Sequence, residues 1–364
     1  MIIIFSILFI YYLRYIYFFY VGLNRKYENL RKDTPFVSVV VAAKNEEKTL
    51  PTLLSLLINQ EYDKEKYEII IANDRSTDQT EDIVLRFQDF FDNLQLVNVK
   101  PPPKKASRKK NALTQAVNHS KGEIILLTDA DCQVPSTWIK DMVKYFDKNV
   151  GMVAGLSLPQ RVFRPNLVQK FEYFDMLVLF TAAAGAIGSD RPFACSGQNL
   201  AYTREAYDEV NGYESVKQYE SGDDVLLMQL IRKAGYKIRF AFDENTYATT
   251  ATERNLIHFL NQRIRWASNE KPQSFLNKEF LIYLVDVFLL NLTLVITLFL
   301  DPLLFLSFFL VKLVFEFIIL NRGRKTFALR FSEMWFLPFW SILHPFYVII
   351  TGIGERLNLF RWKK

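Results

Sequence analysis

The sequence predicts an α/β protein with a mostly parallel central sheet, flanked at both ends by membrane-length apolar helices. Three observations lead there. Between residues 35 and 250, short β-branched and apolar runs alternate with amphipathic stretches, the pattern of a parallel sheet covered by helices on both faces. Residues 1–23 and the region beyond 280 carry apolar runs long enough to cross a bilayer. Composition agrees: half of the 364 residues are hydrophobic, with 32 Phe and 18 Tyr, yet 23% are charged. That mixture suits neither a soluble enzyme nor a bare membrane bundle, and the length allows one large domain or two smaller ones with a proper core.

The first element is "MIIIFSILFIYYLRYIYFFYVGL" (1–23), broken only by Arg14. As a helix it spans roughly 33 Å, about the thickness of the hydrocarbon core. It lacks the basic start, short apolar stretch and small-residue cleavage site of a signal peptide. It is therefore read as a retained transmembrane helix, with Arg14 snorkelling or facing other helices. At the other end, 280–353 is membrane region and 354–364 a basic tail. Residues 280–300 and 302–320 form a helical hairpin turned at Asp301-Pro302. The run 334–353 contains Pro338, His344 and Pro345, and is expected to be a kinked span or a re-entrant pair of short helices.

Charge sets the orientation. Arg25, Lys26, Arg31 and Lys32 follow the first helix, and Arg322, Arg324, Lys325 and Arg330 follow the hairpin. The positive-inside rule puts both clusters, and the domain between them, in the cytosol. A full last span would leave the terminal "RWKK" outside, which favours the re-entrant reading. Much of the net charge of +6 lies in these clusters. The exception is "KPPPKKASRKK" (100–110), but no recognition motif or aromatic platform accompanies it, so no nucleic-acid partner is expected. Cys132 and Cys195 show no metal-ligand spacing and read as reduced, unpaired thiols.

In the middle, "FVSVVVAA" (36–43) is the first strand, followed by a helix over 46–59. "YEIIIAND" (67–74) is the second, with a helix over 78–91. "LQLVNV" (94–99) precedes the helical "KKNALTQAVNHS", and "GEIILLTDAD" (122–131) precedes the helical "PSTWIKDMVKYF". In such sheets ligands bind beyond the carboxyl ends of the strands. Polar residues gather at those ends: Lys44, Asn45 and Glu46, then Asn73 and Asp74, then Asp129 and Asp131. At a single strand end such residues are ordinary turn formers or caps. At three they point to one shared site, and Asp129 and Asp131 are open to either a capping or a metal-binding role. There is no GxGxxG after the first strand and no GxxxxGK[ST], which argues against dinucleotide and P-loop readings.

Taken in order, "VSVVVAAKNEE", "NDRSTD", "LLTDAD", "FACSGQNLAYTREAYDEVNGY", "GDDVLLMQLIRKAGYKI" and "QRIRW" resemble the family 2 glycosyltransferases. These are inverting transferases of the nucleotide-diphospho-sugar, A-type fold. The resemblance covers about 37–266. "QRIRW" is similar to the QxxRW motif of the membrane branch, which includes cellulose, hyaluronan and poly-N-acetylglucosamine synthases and ceramide glucosyltransferases.

The resemblance implies a divalent cation, Mg²⁺ or Mn²⁺, because charge builds on a departing pyrophosphate. Such an ion needs only one or two carboxylates when phosphates supply other ligands. Asp131 and Asp129 then form the metal site, Asp131 as direct ligand and Asp129 nearer the nucleoside or ribose. Asp74 resembles the carboxylate that contacts the base, and Ala43 and Glu46 occupy the nucleotide-facing end of the first strand. The family's "DDGS" reads "NDRS" here, so the turn at Arg75 is expected not to need positive φ. Asp78 is read as the cap of the following helix. Lys109 is the candidate for the base or diphosphate, with Lys110 and Arg108 as solvated charge.

Cys195, Ser196 and Gly197 match the acceptor-lining segment, though with Ser and Gly exchanged, and Cys195 equally fits a small buried apolar role. In "GDD" (222–224) the resemblance makes Asp224 the base that takes the acceptor's proton, with Asp223 as its helper. Acids there also suit the first turn of a helix. Residues 251–275 are read as an amphipathic interfacial segment, offering Gln262, Arg265 and Trp266 to the diphosphate and acceptor. The implied partners are a nucleotide sugar, a uridine diphosphate sugar by resemblance, a lipid-linked or saccharide acceptor, and membrane lipids. Limited addition and processive polymer synthesis both remain open. A non-enzymatic membrane scaffold with a nucleotide-binding-like domain is the rival of different class. Cys132 and Gln133 receive no role, and oligomeric state is left open.

Overall fold

The structure is a computed structural model that describes residues 2–28, 30–103, 106–357 and 359. Lys104 and Lys105 of the basic loop lie outside the described residues, as do Asn358 and 360–364 of the basic tail. The chain divides into two units, one of residues 26–160 and 194–251, the other of 1–25, 161–193 and 252–364. The sequence reading treats 35–250 as one block, whereas 161–193 groups with the apolar helices.

The chain opens with α1 (Ile2–Gly22) and then enters the α/β unit. There β1 (Val37–Ala43), α2 (Leu50–Ile58), β2 (Tyr67–Asn73), α3 (Thr80–Gln88) and β3 (Leu94–Asn98) follow in order. Next come α4 (Arg108–His119), β4 (Ile124–Leu127), β5 (Cys132–Gln133), α5 (Trp138–Val143), β6 (Val150–Gly155) and β7 (Ser157–Pro159). The chain leaves for α6 (Leu167–Gly188) and returns with β8 (Leu200–Thr203), α7 (Arg204–Glu209), α8 (Asp223–Lys233), β9 (Lys237–Ala241) and β10 (Ala248–Thr250).

Seven strands form the main sheet in the order β3-β2-β1-β4-β8-β6-β9. All neighbours are parallel except β8, which runs antiparallel to both β4 and β6. The expected mostly parallel α/β sheet is present. Val39 registers with Ile69 on one side and Leu126 on the other, and all three are fully buried, as strands covered on both faces must be. Leu53, Leu54 and Leu57 of α2 close the same core. A smaller sheet, β5-β10-β7, pairs Cys132 with Thr250 and Gln133 with Thr249. This accounts for the two residues that carried no role: they anchor the chain just after Asp131.

The second unit holds α1 and α6, then α9 (Leu256–Ala267), α10 (Glu270–Leu276), α11 (Lys278–Leu300), α12 (Pro302–Thr326) and α13 (Leu337–Arg356). Among the described residues, five helical segments are long and apolar enough to cross a membrane: Ile2–Gly22, Leu167–Gly188, Lys278–Leu300, Pro302–Thr326 and Phe331–Arg356. Helix α6 is the one of the five that the sequence reading passes over, its first half carrying Gln169, Lys170, Glu172 and Asp175. Its Asp175 is buried against Arg263 of α9, Nε to Oδ2 at 3.0 Å. Helices α1 and α6 approach at bare backbone: a Cβ on Gly22 or Gly188 would collide with the other helix, the small-residue contact typical of membrane helices.

The α11–α12 hairpin turns at Asp301, whose Oδ1 caps α12 by accepting from Leu304 N at 3.0 Å. The run 334–353 is not a re-entrant pair of short helices. A short 3₁₀ turn, Phe331–Phe336, leads into α13, one 20-residue helix with Pro345 inside it. Pro338 sits in the first turn, where its missing N–H has no intrahelical partner to lose. Only Pro345 removes a hydrogen bond, too little to divide a helix packed against its neighbours.

Candidate active site

Two loops at the carboxyl ends of β1 and β2 are laced together. Asn45, in the left-handed region at φ 57°, accepts from Thr77 N through Oδ1 at 2.8 Å, and its own N–H donates to Ser76 Oγ at 3.0 Å. Glu46 N donates to Thr80 Oγ1 at 2.8 Å. Asp74, 6% exposed, donates its N–H to Ala43 O at 2.8 Å, so Ala43 and Asp74 sit side by side. Asp78 is not the N-cap residue of α3, which is Gln79. Its Oδ1 accepts from Thr80 N at 3.0 Å and its Oδ2 from Glu47 N at 3.1 Å, joining both loops before the helix starts.

Arg75 corrects the expectation about this turn. It has φ 57°, so positive φ is required and Arg stands in the position that glycine would fill without strain. A non-glycine residue there costs about 1–2 kcal/mol. The cost is offset locally: Arg75 Nε and Nη2 both donate to Asp74 Oδ1, at 2.9 and 2.7 Å.

Asp129 and Asp131 lie in the turn between β4 and β5, and neither caps α5, whose N-cap is Thr137. Asp129 Oδ1 accepts from Lys109 Nζ at 2.9 Å. The polar neighbour of Asp131 is the Cys132 thiol at 3.9 Å. Burial first, then the charges of Asp129 and Glu46, push the Asp131 carboxyl up to about 6. An under-partnered carboxylate held among negative charges is a hard-oxygen ligand suited to a divalent cation. Among the described residues no three His, Cys, Asp or Glu side chains converge to hold a metal ion. A cation at Asp131 would therefore take most of its ligands from a bound phosphate and water.

Lys109 joins this cluster to a second. Its Nζ also lies 3.2 Å from Asp223 Oδ2. Asp223 and Asp224 are the first two residues of α8, after Gly222 at φ 76°. This left-handed N-cap position favours glycine. Asp224 Oδ2 accepts from Gly197 N at 2.9 Å, and its Oδ1 from Val225 N at 2.7 Å. Gly197 lies so near that a Cβ there would be 3.3 Å from Asp223 Oδ2, and a larger residue would press on the acid pair. The two acids diverge electrostatically. Burial alone would raise Asp223, but Lys109 and Lys110 more than offset it and hold it low. Burial and the charge of Asp223 push Asp224 up to about 6. Burial also raises the nearby Cys195 thiol, with Asp224 and Asp223 adding to it, so Cys195 is no nucleophile at neutral pH. Ser196 Oγ accepts from Gln198 N at 3.3 Å.

Lys110 is not solvated charge. It is 1% exposed, and its Nζ donates to Tyr219 O at 2.5 Å and Ser221 O at 2.7 Å. It ties α4 to the loop that delivers Gly222 and the acid pair. The sequence does carry a signal for this: Lys110, Leu113 and Val117 share one stripe of α4 with Ala112 and Ala116. Lys110→Met keeps the aliphatic stem but removes the ammonium that donates to the Tyr219 and Ser221 carbonyls. A stability loss of about 2–3 kcal/mol is expected, read as a lower unfolding temperature; an unchanged one would remove Lys110 from this role.

Gln262, Arg265 and Trp266 all lie on α9 in the helical unit, separate from the unit that holds the acids. The residue of this motif that sequence reasoning passed over is Arg263. It is the buried arginine, paired with Asp175, with its guanidinium 4.1 Å from the centre of the Trp266 ring. The sequence signal is its place on the Phe259–Arg263–Ile264 side of the helix.

Residues 38–210 match the family described as Glycosyl transferase family 2. The chain is similar to a protein named probable glycosyltransferase YdaM of Bacillus subtilis, 28% identical over 66% of this chain and 57% of that one. It is also similar to a beta-monoglucosyldiacylglycerol synthase of Nostoc sp., 37% identical over 35% of this chain and 27% of that one. The chain thus spans a little over half of one relative and about a quarter of the other. Among solved structures, it shares its fold with the mannosyltransferase PcManGT from Pyrobaculum calidifontis in complex with GDP-Man and Mn²⁺. That likeness has a TM-score of 0.55 and 18% identity, and covers 98% of this chain and 96% of that one.

Proposed function

We propose that this chain, whose residues 38–210 match the family 2 glycosyl transferases, is a membrane-anchored inverting transferase. It moves a sugar from a nucleoside diphosphate donor to a lipid-linked or saccharide acceptor. The observation that carries this is the acid pair of α8, joined through Lys109 to Asp129 within one α/β unit. The helices of the other unit hold the protein in the membrane, with the α/β unit on the cytosolic side.

Asp224 takes the proton of the acceptor hydroxyl as that oxygen attacks the anomeric carbon. The new carbon–oxygen bond forms as the bond to the diphosphate breaks, and the electron pair leaves with the phosphate. The Gly197 N–H on Oδ2 at 2.9 Å and the Val225 N–H on Oδ1 at 2.7 Å fix the orientation of the carboxylate, and each oxygen keeps a second lone pair for the proton. Asp223 stays ionised and keeps Lys109 charged beside the donor's phosphates. Asp74, Ala43 and Glu46 hold the nucleoside. Asp131, with Asp129 beside it, would hold Mg²⁺ or Mn²⁺, which supplies Lewis-acid stabilisation of the leaving diphosphate. The Mn²⁺ that accompanies GDP-Man in the PcManGT complex supports a divalent ion. The family resemblance supports uridine as the base, Cys195 and Ser196 beside the acceptor, and contacts of Gln262, Arg265 and Trp266 with the diphosphate and acceptor. The name of the Nostoc relative favours a lipid acceptor and limited addition.

Donor hydrolysis tests the reading. Purified protein with Mn²⁺ and a panel of UDP- and GDP-sugars should release nucleoside diphosphate from one of them, slowly without acceptor. Absence of release from every donor, with and without membrane extract, would sink it. The pH profile tests the base. Asp224 must be ionised to accept a proton, so transfer is present above and lost as pH falls through about 6. The charge of Asp223 helps hold that value up, so Asp223→Asn should move the acid limb to lower pH. A limb that stays in place removes Asp224 from the base role.

A further inference from the structure

The helical unit holds an open-sided cavity of about 580 Å³, inside the roughly 300–1,000 Å³ range of small-molecule sites. Its walls are apolar side chains of membrane-length helices, among them Ile16 of α1, Val178 of α6, Leu284 of α11 and Val348 of α13. Its charged lining is unusual for such a place. Asp175 pairs with Arg263, and Lys312 pairs with Glu316, all four buried. Neither pair is required by the chemistry assigned to the α/β unit.

The pairing is incomplete. Arg263 donates through Nε to Asp175 and through Nη1 to Gln262, but its Nη2 is buried with no hydrogen-bond partner. His344 Nδ1, also on the lining, is buried and unpartnered too. Arg356 also lines the cavity, largely exposed and 3.8 Å from Glu355. With the two internal pairs cancelling, the lining keeps one unused guanidinium donor, Arg263 Nη2. Buried donors are expected to be satisfied, and water can meet a donor but gains nothing from apolar walls. An oxygen-bearing anion on an apolar body meets both requirements.

We infer that this cavity binds one membrane lipid by its phosphate, with Arg263 Nη2 donating to a phosphate oxygen and the chain lying among α6, α11 and α13. A lipid phosphate, not free phosphate, is the occupant that the apolar walls select. The lipid site lies within the helical unit, with Trp266 of the proposed acceptor contacts among its lining residues.

Photolabelling of the full-length protein in detergent tests it. The probe is phosphatidic acid with a diazirine near its chain end, compared with a diacylglycerol of identical chains. The phosphate probe should label saturably, on peptides bearing lining residues, and be displaced by unlabelled phosphatidic acid. One charge-assisted hydrogen bond to a buried group gives about tenfold over the diacylglycerol. Ala182→Phe or Thr351→Phe, each filling the lining from a different helix, should cut labelling several-fold. Native mass spectrometry of the unaltered protein should retain one lipid phosphate, a readout that needs no variant. Four results would each overturn the inference: non-saturable labelling, label confined to outward residues such as Ile282 and Ile296, equal labelling by the diacylglycerol, or displacement by inorganic phosphate. Donor hydrolysis in the same preparation reports on the α/β unit, so failure here is distinguishable from failure of the proposed function.

Discussion

Asp224→Asn is expected to lower sugar transfer by about 10²–10⁴, the contribution of a positioned general base, while leaving donor binding nearly unchanged. The amide keeps the shape of the carboxylate but cannot accept the acceptor's proton. The same substitution should raise stability at neutral pH. The folded-state value of Asp224 is about 6, against an ordinary 3.8. A carboxyl raised on folding stabilises the fold below the ordinary value, and that stabilisation is lost as pH rises through the folded one. Above about pH 6 the charged form is therefore a burden on the folded state of about 3 kcal/mol. Removing it should lift the unfolding temperature, so loss of activity with a gain in stability is the joint signature. Transfer near the unaltered rate rejects the base assignment. A fall in unfolding temperature would mean instead that the hydrogen bonds from Gly197 and Val225 outweigh the burial cost.

Burial also decides which parts of the protein are legible in the sequence. The strands that announce themselves are β1, β2 and β4, whose Val, Ile and Leu runs are buried on both faces and mark strands at any position in a parallel sheet. The strands β7 and β10 have three residues each, β6 is built from Val, Gly, Met and Ala, and β9 carries Lys237 and Arg239. They are strands because of partners far along the chain, as with Ala154 against Leu200 and Phe240, which no local window contains. Helix α6 is hidden for the opposite reason. Its polar residues mask its length, and the partners that make them tolerable, such as Arg263 for Asp175, lie about 90 residues downstream.

For the site, residue type and spacing reach the strand ends and the acid pair but misjudge two side chains through local analogy. The chemistry of Arg75 argues against a left-handed turn, yet its backbone takes the conformation of the glycine it replaces, held by its own bond to Asp74. The charge of Lys110 argues for solvent, yet its position on the apolar stripe of α4 buries it. In both cases geometry beyond the residue outweighs its average preference.

Chelation is expected to abolish transfer, and added Mn²⁺ or Mg²⁺ to restore it. Asp131→Asn should lower the rate by about 10²–10³ at a fixed divalent concentration, since Lewis-acid stabilisation of a leaving diphosphate supplies several kcal/mol. Burial, rather than a preformed cage, would set the affinity for such an ion. Asp131 has a thiol as its polar neighbour and two acidic residues that raise its proton affinity, a penalty that a cation reverses by replacing the proton. Because Asp131 would be one of few protein ligands, the ion should bind weakly in the free protein and tightly with nucleoside diphosphate present. Isothermal titration of Mn²⁺ with and without the diphosphate reads this directly. Asp129→Asn should do less to the metal and more to Lys109, whose ammonium would then rest on Asp223 alone. Full activity in excess chelator would remove the metal from the mechanism. Tight Mn²⁺ binding without nucleotide would mean that other residues complete the site.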